Sequence, residues 1–327
     1  LEYIKLPSAW DYTTGNPSIR VAVLDRGFDV EHEDLKDQIV VDGGLLFRKP
    51  SQHGTLIAGI IGATGDNETG VTGVLWDSSL LLYGLELPWG LDISSISAID
   101  AAEDALDLDV NILNYSGGGP YSAVENWAWK QLALRSGKNT LFVFATDNGS
   151  GDDSNSSPSS LANDPDLDNV ISVTALSYDD ETWAPVLELD GFGGKVSVAA
   201  PGYVYSTSYN EFSKNWYGGN FGTSFATPLV SGLAGLIWST NPEFTPKQVK
   251  EFILLGAEQG GNGRRVPGTE FYVIDAAESL KLATASKEGF VEMKLRGDVL
   301  DVKTYRGAIV PGAIAAGDTV DLQITYD

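Results

Sequence analysis

An α/β architecture is predicted for this chain: a mostly parallel sheet flanked by helices in a three-layer sandwich. Compact apolar runs that end in polar residues or glycine alternate with longer stretches whose apolar residues recur at spacings of three and four. The runs are apolar at consecutive positions, as strands covered on both faces are. The chain has 327 residues, 43% hydrophobic and 20% charged, enough for one large α/β domain or two domains.

Residues 1–19 read as a short amphipathic entry closed by a Gly-Asn-Pro turn. RVAVLD, Arg20 to Asp25, is then a buried strand ending in an acid, at the edge where open α/β sheets hold their sites. His32 lies among acids in DVEHEDL and is expected at the surface or half-buried, without a catalytic role. HGTLIAGIIGA, His53 to Ala63, starts a helix whose inward stripe is Leu56, Ile57, Ile60 and Ile61, with His53 off that stripe. Gly62 to Val74 is a glycine-rich loop, residues 79–86 a strand, and 93–108 a helix. Val110 to Pro120 is a strand running into glycines, 123–135 a helix, and Asn139 to Ser150 a strand with a polar end. Residues 149–169 are rich in Ser and Asp and are expected to be a solvated loop. Asp164, Asp166 and Asp168 alternate there, but the glycine and glutamate of an EF-hand loop are missing. Residues 170–177 and 194–202 are strands, 245–257 a helix capped by Thr245, and 273–283 a closing helix. The main domain is thus assigned to 1–284. The remainder, 285–327, alternates apolar and polar residues between glycine turns and is expected to be a small β-rich C-terminal extension.

The chain is organised around GTSFATPLVSGLAGLIWS, Gly222 to Ser239, a buried helix by its spacing. Ser224 falls at its N-terminal end, beside unpaired N–H groups and the positive end of the helix dipole. Pro228 is expected in about the first turn, where a missing N–H costs little.

Composition removes several functions. The formal charge of −24 disfavours nucleic acid and anionic membrane as partners. No cysteine is present, so thiol catalysis, disulfides and Cys-ligated metals are excluded. No run approaches 18 apolar residues, and no membrane span is expected. A chain beginning at Leu1 without a signal peptide reads as a processed form. With His32 and His53 the only histidines, an imidazole base is nearly forced to be His53. A serine hydroxyl is a poor nucleophile at neutral pH and needs such a base; the base in turn needs a carboxylate to fix its tautomer. Asn148, at the end of FVFATDNG, and the Ser224 N–H are natural donors for a developing oxyanion.

VAVLDRG, HGTLIAG, NYSGGGP, FATDNG and GTSFATPLVSG occur in an order that resembles the subtilisin-like serine proteases, the subtilases, over about residues 4–284. The resemblance implies Asp25, His53 and Ser224 as acid, general base and nucleophile, in the chain order known for subtilisin, with Asn148 in the oxyanion hole. It implies that Ser116, Gly117 and Gly118 present backbone to an extended protein or peptide substrate, and that Ala145, Thr146 and Asp147 wall the adjoining pocket. It also implies a calcium site at Asp34, Asn67 and the carbonyls of Gly65, Thr69 and Val71, without the usual N-terminal ligand. A secreted, monomeric endopeptidase of broad specificity follows as the expectation, with an intracellular enzyme as the alternative location. A catalytically impaired binding module, or a transpeptidase or macrocyclase on the same frame, would compete with it. Departures from the family pattern are Arg26 after the acid, Leu56 for a second histidine, Leu229 after the proline, and Asp147 for a glycine. An Arg26 side chain turned toward the carboxylate would depress the Asp25 pKa and compete with His53 for it, and one that points away would change nothing.

Overall fold

The computed structural model describes residues 1–42, 50–85, 95–136, 139–148, 156–179, 181–182, 185–189, 196–260 and 264–287. The predicted β-rich extension lies outside them from residue 288 onward. In chain order the elements are α1 (Leu6–Ala9), β1 (Gly15–Asp25), β2 (Ile39–Asp42), α2 (Gln52–Gly62), β3 (Asp77–Gly84), α3 (Ser95–Asp107), β4 (Ile112–Tyr115) and β5 (Gly119–Pro120). There follow α4 (Ala123–Arg135), β6 (Leu141–Ala145), β7 (Ser156–Ser157), β8 (Val170–Tyr178), β9 (Pro185–Leu189) and β10 (Val198–Pro201). The last are β11 (Tyr203–Asn210), β12 (Ser213–Phe221), α5 (Thr223–Thr240), α6 (Pro246–Gln259) and α7 (Ala276–Lys287).

The main sheet runs β10-β8-β6-β4-β1-β3-β2, with each neighbour pair in that order parallel, and β9 adds antiparallel to β8. Its strands alternate between two cores, because successive side chains leave a strand on opposite faces. Val21 and Val23 of β1 join the core beneath α2, α5 and α6, while Ala22 and Leu24 join the one that holds Trp129 of α4. Burial on both faces is why β1 reads as an unbroken apolar run. Each fully buried Leu or Ile contributes about 1.5–3 kcal/mol. Helix α5 crosses beneath β1, β4, β6, β8 and β10 and is buried from Phe225 to Trp238.

Local signals explain the helix ends. Thr245 and Gln248 form a reciprocal capping box at α6. At α2 the Ser51 hydroxyl accepts the His53 N–H at 3.2 Å. The N-cap of α5 is Gly222, which has no side chain to cap the helix itself. Pro228 is the sixth residue of α5, not in the first turn, so its missing N–H removes an interior helical bond.

Two further expectations are corrected. His32 is fully buried, not at the surface: Nδ1 accepts the Asp34 N–H at 3.2 Å, so Nε2 carries the proton and donates to the Trp216 carbonyl at 3.0 Å. The 149–169 segment is not simply a solvated loop. Its described part holds β7 and a 3-10 helix, Ser159–Asn163, with Leu161 and Leu167 buried. The Lys130 ammonium lies 2.9 Å from Asp164 and 2.7 Å from Asp166.

β11 and β12 form a separate antiparallel hairpin. Thr207 Oγ1 on β11 donates to the Thr55 carbonyl of α2 at 2.7 Å, and the Tyr217 hydroxyl on β12 donates to Asp34 at 3.2 Å.

Candidate active site

The carboxyl ends of β1, β4 and β6 and the N-terminus of α5 converge at one edge of the sheet. Asp25 closes β1, Ser116 follows β4, and Asn148 lies three residues past β6. Asp25 is 5% exposed, and both of its oxygens face the His53 Nδ1, at 2.8 and 2.9 Å. That approach depends on Gly54. A Cβ there would lie 2.2 Å from the Gly27 carbonyl, so only glycine lets α2 seat against the turn after β1. Burial by itself lowers the His53 pKa. The Asp25 charge and its hydrogen bond raise it and prevail, the Arg26 charge lowering it in part, and the imidazole is held above its usual value. Arg26 is exposed, and its backbone N–H donates to Asp25 Oδ1 at 2.7 Å. The carboxylate therefore keeps His53 as its ring partner.

On the other side of the site, the Phe225 ring lies edge-on to His53, centroids 5.2 Å apart, which brings the first turn of α5 beside the imidazole. The Ser224 hydroxyl donates to the Ser116 carbonyl at 3.1 Å. Asn148 is oriented by its spatial neighbour Thr223, whose backbone N–H donates to Oδ1 at 2.9 Å. An N–H can only donate, so the amide oxygen is fixed inward and the NH₂ is turned the other way. Gly222, at φ 139°, allows this contact, since a Cβ would lie 2.9 Å from Asn148 Oδ1. Sequence reasoning missed Thr223 and Phe225. Both lie in the serine motif, but their roles come from contacts with residues about 75 and 172 positions upstream, which no local pattern displays.

Among the predicted pocket residues, Ala145 and Thr146 are buried and Asp147 is exposed. The Thr146 carbonyl accepts the Thr223 hydroxyl at 2.6 Å, and Asp147 Oδ1 accepts the Asn148 N–H at 2.7 Å. Gly118 lies against β7, where a Cβ would meet the Ser157 carbonyl, and Gly117 lies against the Tyr115 ring. A cavity of about 400 Å³, lined by Val196, Leu254, Glu258 and Phe271, sits at the amino end of β10 and is separate from this edge.

Of the residues predicted to hold a metal, Asn67 and Val71 donate to the Asp34 carboxylate, which is fully buried. Its Oδ1 accepts the Asn67 Nδ2 at 2.7 Å, and its Oδ2 accepts the Val71 N–H at 2.8 Å and the Tyr217 hydroxyl. Burial and the acids Asp34 and Glu33 push the Tyr217 pKa far up, so its hydroxyl stays a donor. The loop above has positive φ at Asp66, Glu68 and Gly70, and this alternation curls the chain with Gly65, Asn67, Thr69 and Val71 at the positions between. Asn67 Oδ1 accepts the Thr69 N–H at 3.0 Å. No group of three or more His, Cys, Asp or Glu side chains suited to a metal occurs among the described residues.

The sequence pattern of the Subtilase family, Peptidase_S8, matches residues 16–271. The chain belongs to the subtilase family. Halolysin of Haloferax mediterranei is 34% identical over 252 residues, covering 72% of this chain and 44% of halolysin. An intracellular serine protease of Paenibacillus polymyxa is 30% identical over 306 residues, covering 86% of each chain. The chain thus spans less than half of one of these relatives and most of the other. A protease structure from Pseudoalteromonas arctica superposes with a TM-score of 0.67 at 23% identity, covering 86% of this chain and 94% of that one; it supports the fold. As a subtilase, the chain carries a peptidase domain of the serine-endopeptidase, hydrolase type. No helix among the described residues is long and apolar enough to cross a membrane.

Proposed function

We propose that this subtilase is an active endopeptidase working through Asp25, His53 and Ser224. The observation that carries the reading is His53 Nδ1 held by both oxygens of a buried carboxylate, with the first turn of α5 against the same ring. Nδ1 holds its proton toward Asp25, which leaves the Nε2 lone pair as the base. Ser224 Oγ attacks the scissile carbonyl and its proton passes to Nε2. The oxyanion takes hydrogen bonds from the Asn148 amide and the Ser224 N–H. His53 then protonates the leaving amine as the C–N bond breaks, and water repeats the sequence to hydrolyse the acyl-enzyme. The substrate backbone lies along Ser116 to Gly118 as an added strand, with Ala145, Thr146 and Asp147 beside the cleaved residue. A medium or large apolar residue before the cut suits the broad specificity inferred. A fluorophosphonate is expected to label Ser224 in the folded protein; a folded sample that resists labelling overturns the assignment.

Asn148→Ala is expected to lower kcat by about 10²–10³-fold with KM little changed, because the donor acts on charge that exists only in the transition state. Equal losses in kcat and in substrate binding on a peptide series would remove Asn148 from that role.

Calcium is proposed as a structural ion at Asp34. The support is a buried carboxylate beside a loop that bends sharply at non-glycine residues, Asp66 and Glu68, each costing of order 1 kcal/mol. Asp34, the side chain of Asn67 and the carbonyls of Gly65, Thr69 and Val71 would hold the ion, with Asn67 turning its oxygen from the Thr69 N–H. A site a hundredfold saturated stabilises by about 2.7 kcal/mol, so a chelator is expected to lower Tm by roughly 5–10 °C, and Asp34→Asn to abolish the difference. Equal Tm with and without chelator refutes the site. The proposal further takes the enzyme as a secreted monomer, a location the acidic composition supports, with a small β-rich extension after α7.

A further inference from the structure

Pro228 has no N–H to offer the carbonyl four residues back in α5, which is that of Ser224. The Ser116 hydroxyl supplies the missing donor, 2.9 Å from that carbonyl. One requirement then fixes the next. Because Ser116 gives its proton to Ser224, its oxygen accepts from the Asn114 NH₂ at 3.1 Å. Because Asn114 presents its NH₂ to Ser116, its Oδ1 accepts the Ser231 hydroxyl at 2.8 Å. Asn114 and Ser231 are both fully buried and Ser116 is 6% exposed, so the chain runs in a low-dielectric interior where aligned bonds reinforce one another. It leaves α5 at Ser231, crosses to β4 at Asn114, and returns to α5 at Ser224, seven residues from where it left. Residues seven apart share a face of a helix, so α5 is braced against β4 at two points on one side.

We infer that Asn114 and Ser231 are positioning residues for the nucleophile, holding the peptide of Ser224 in place through Ser116. The inference rests on the reading of Ser224 as the attacking group. The proton order requires at 114 a side chain that both donates and accepts, as the Asn114 amide does. A carboxylate at that position would only accept, drawing the Ser116 hydroxyl away from the Ser224 carbonyl.

The test is the second-order rate of acylation by a fluorophosphonate, with Tm and peptide kinetics measured in parallel. Valine and threonine fill nearly the same volume and differ by the hydroxyl. Ser231→Val is expected to slow acylation about 10- to 100-fold, the size of effect a small misplacement of a reacting group produces. KM should stay within about twofold and the acidic limb of the pH–rate profile unmoved, since neither variant touches Asp25 or His53. Ser231→Thr should restore most of the rate, and Asn114→Asp should lose at least as much as the valine variant. Ser231→Ala serves if the valine variant does not fold. Equal rates for the valine (or alanine) and threonine variants overturn the inference, whether both match wild type or both are slowed. Wild type that fails to label at all points instead to an error in the assignment of Ser224.

Discussion

Ser224→Ala is expected to lower kcat for peptide hydrolysis by about 10⁶-fold while leaving KM and Tm nearly unchanged, a magnitude carried over from subtilisin. The small structural effect follows from the geometry. Among the described residues the Ser224 hydroxyl makes one hydrogen bond, to the Ser116 carbonyl, at a partly exposed position, and its net worth is about 1 kcal/mol. The Ser116 hydroxyl still caps the residue 224 carbonyl from the other direction, so the α5 terminus keeps its brace. What disappears is the covalent step. Release of peptides from a casein-type substrate measures it directly, and a variant retaining a tenth of wild-type turnover would exclude Ser224 as the nucleophile.

Asp25→Asn is expected to cost about 10⁴-fold in kcat, the size of loss known for serine peptidases as a class. The Arg26 N–H, 2.7 Å from Asp25 Oδ1, will hold the amide oxygen of the variant. The NH₂ then faces His53 Nδ1 and donates to it, which moves the ring proton to Nε2, the nitrogen that must accept from Ser224. The pH dependence follows from the same pair. His53 works as a base only when neutral, and Asp25 raises its pKa, so wild-type activity should rise with pH through a midpoint above the usual imidazole value. The stability term has the opposite slope. A folded pKa raised above the unfolded one stabilises fully below the unfolded value, and that contribution fades as pH climbs through the folded value. In the variant, the residual activity should have its midpoint at lower pH. An acidic limb that does not move would mean that some other group titrates there.

The parallel core was legible because its strands are covered on both faces: Val21 to Leu24 and Leu141 to Ala145 can only be interior. The Thr245 cap was legible because capping is local chemistry. The β11–β12 hairpin was not, since YVYSTSYN and SKNWYGGNF show neither steady alternation nor a strong turn signal, and it is held by α2 and Asp34 from far along the chain. His32 deceived for a similar reason. Acids surround it in sequence, but in space its two nitrogens are satisfied by the Asp34 N–H and by a carbonyl 184 residues away. At the site, residue types and order pointed to Asp25, His53, Ser224 and Asn148, and the structure brings them to one edge. The buried proton order through Asn114 and Ser231 stayed hidden, because one serine among many carries no mark of what it touches.

The hairpin has two clients. One strand steadies the helix that carries His53 and the other steadies the curl over Asp34, so both rest on the same footing. A change that loosened this hairpin would therefore be felt at the imidazole and at Asp34 together.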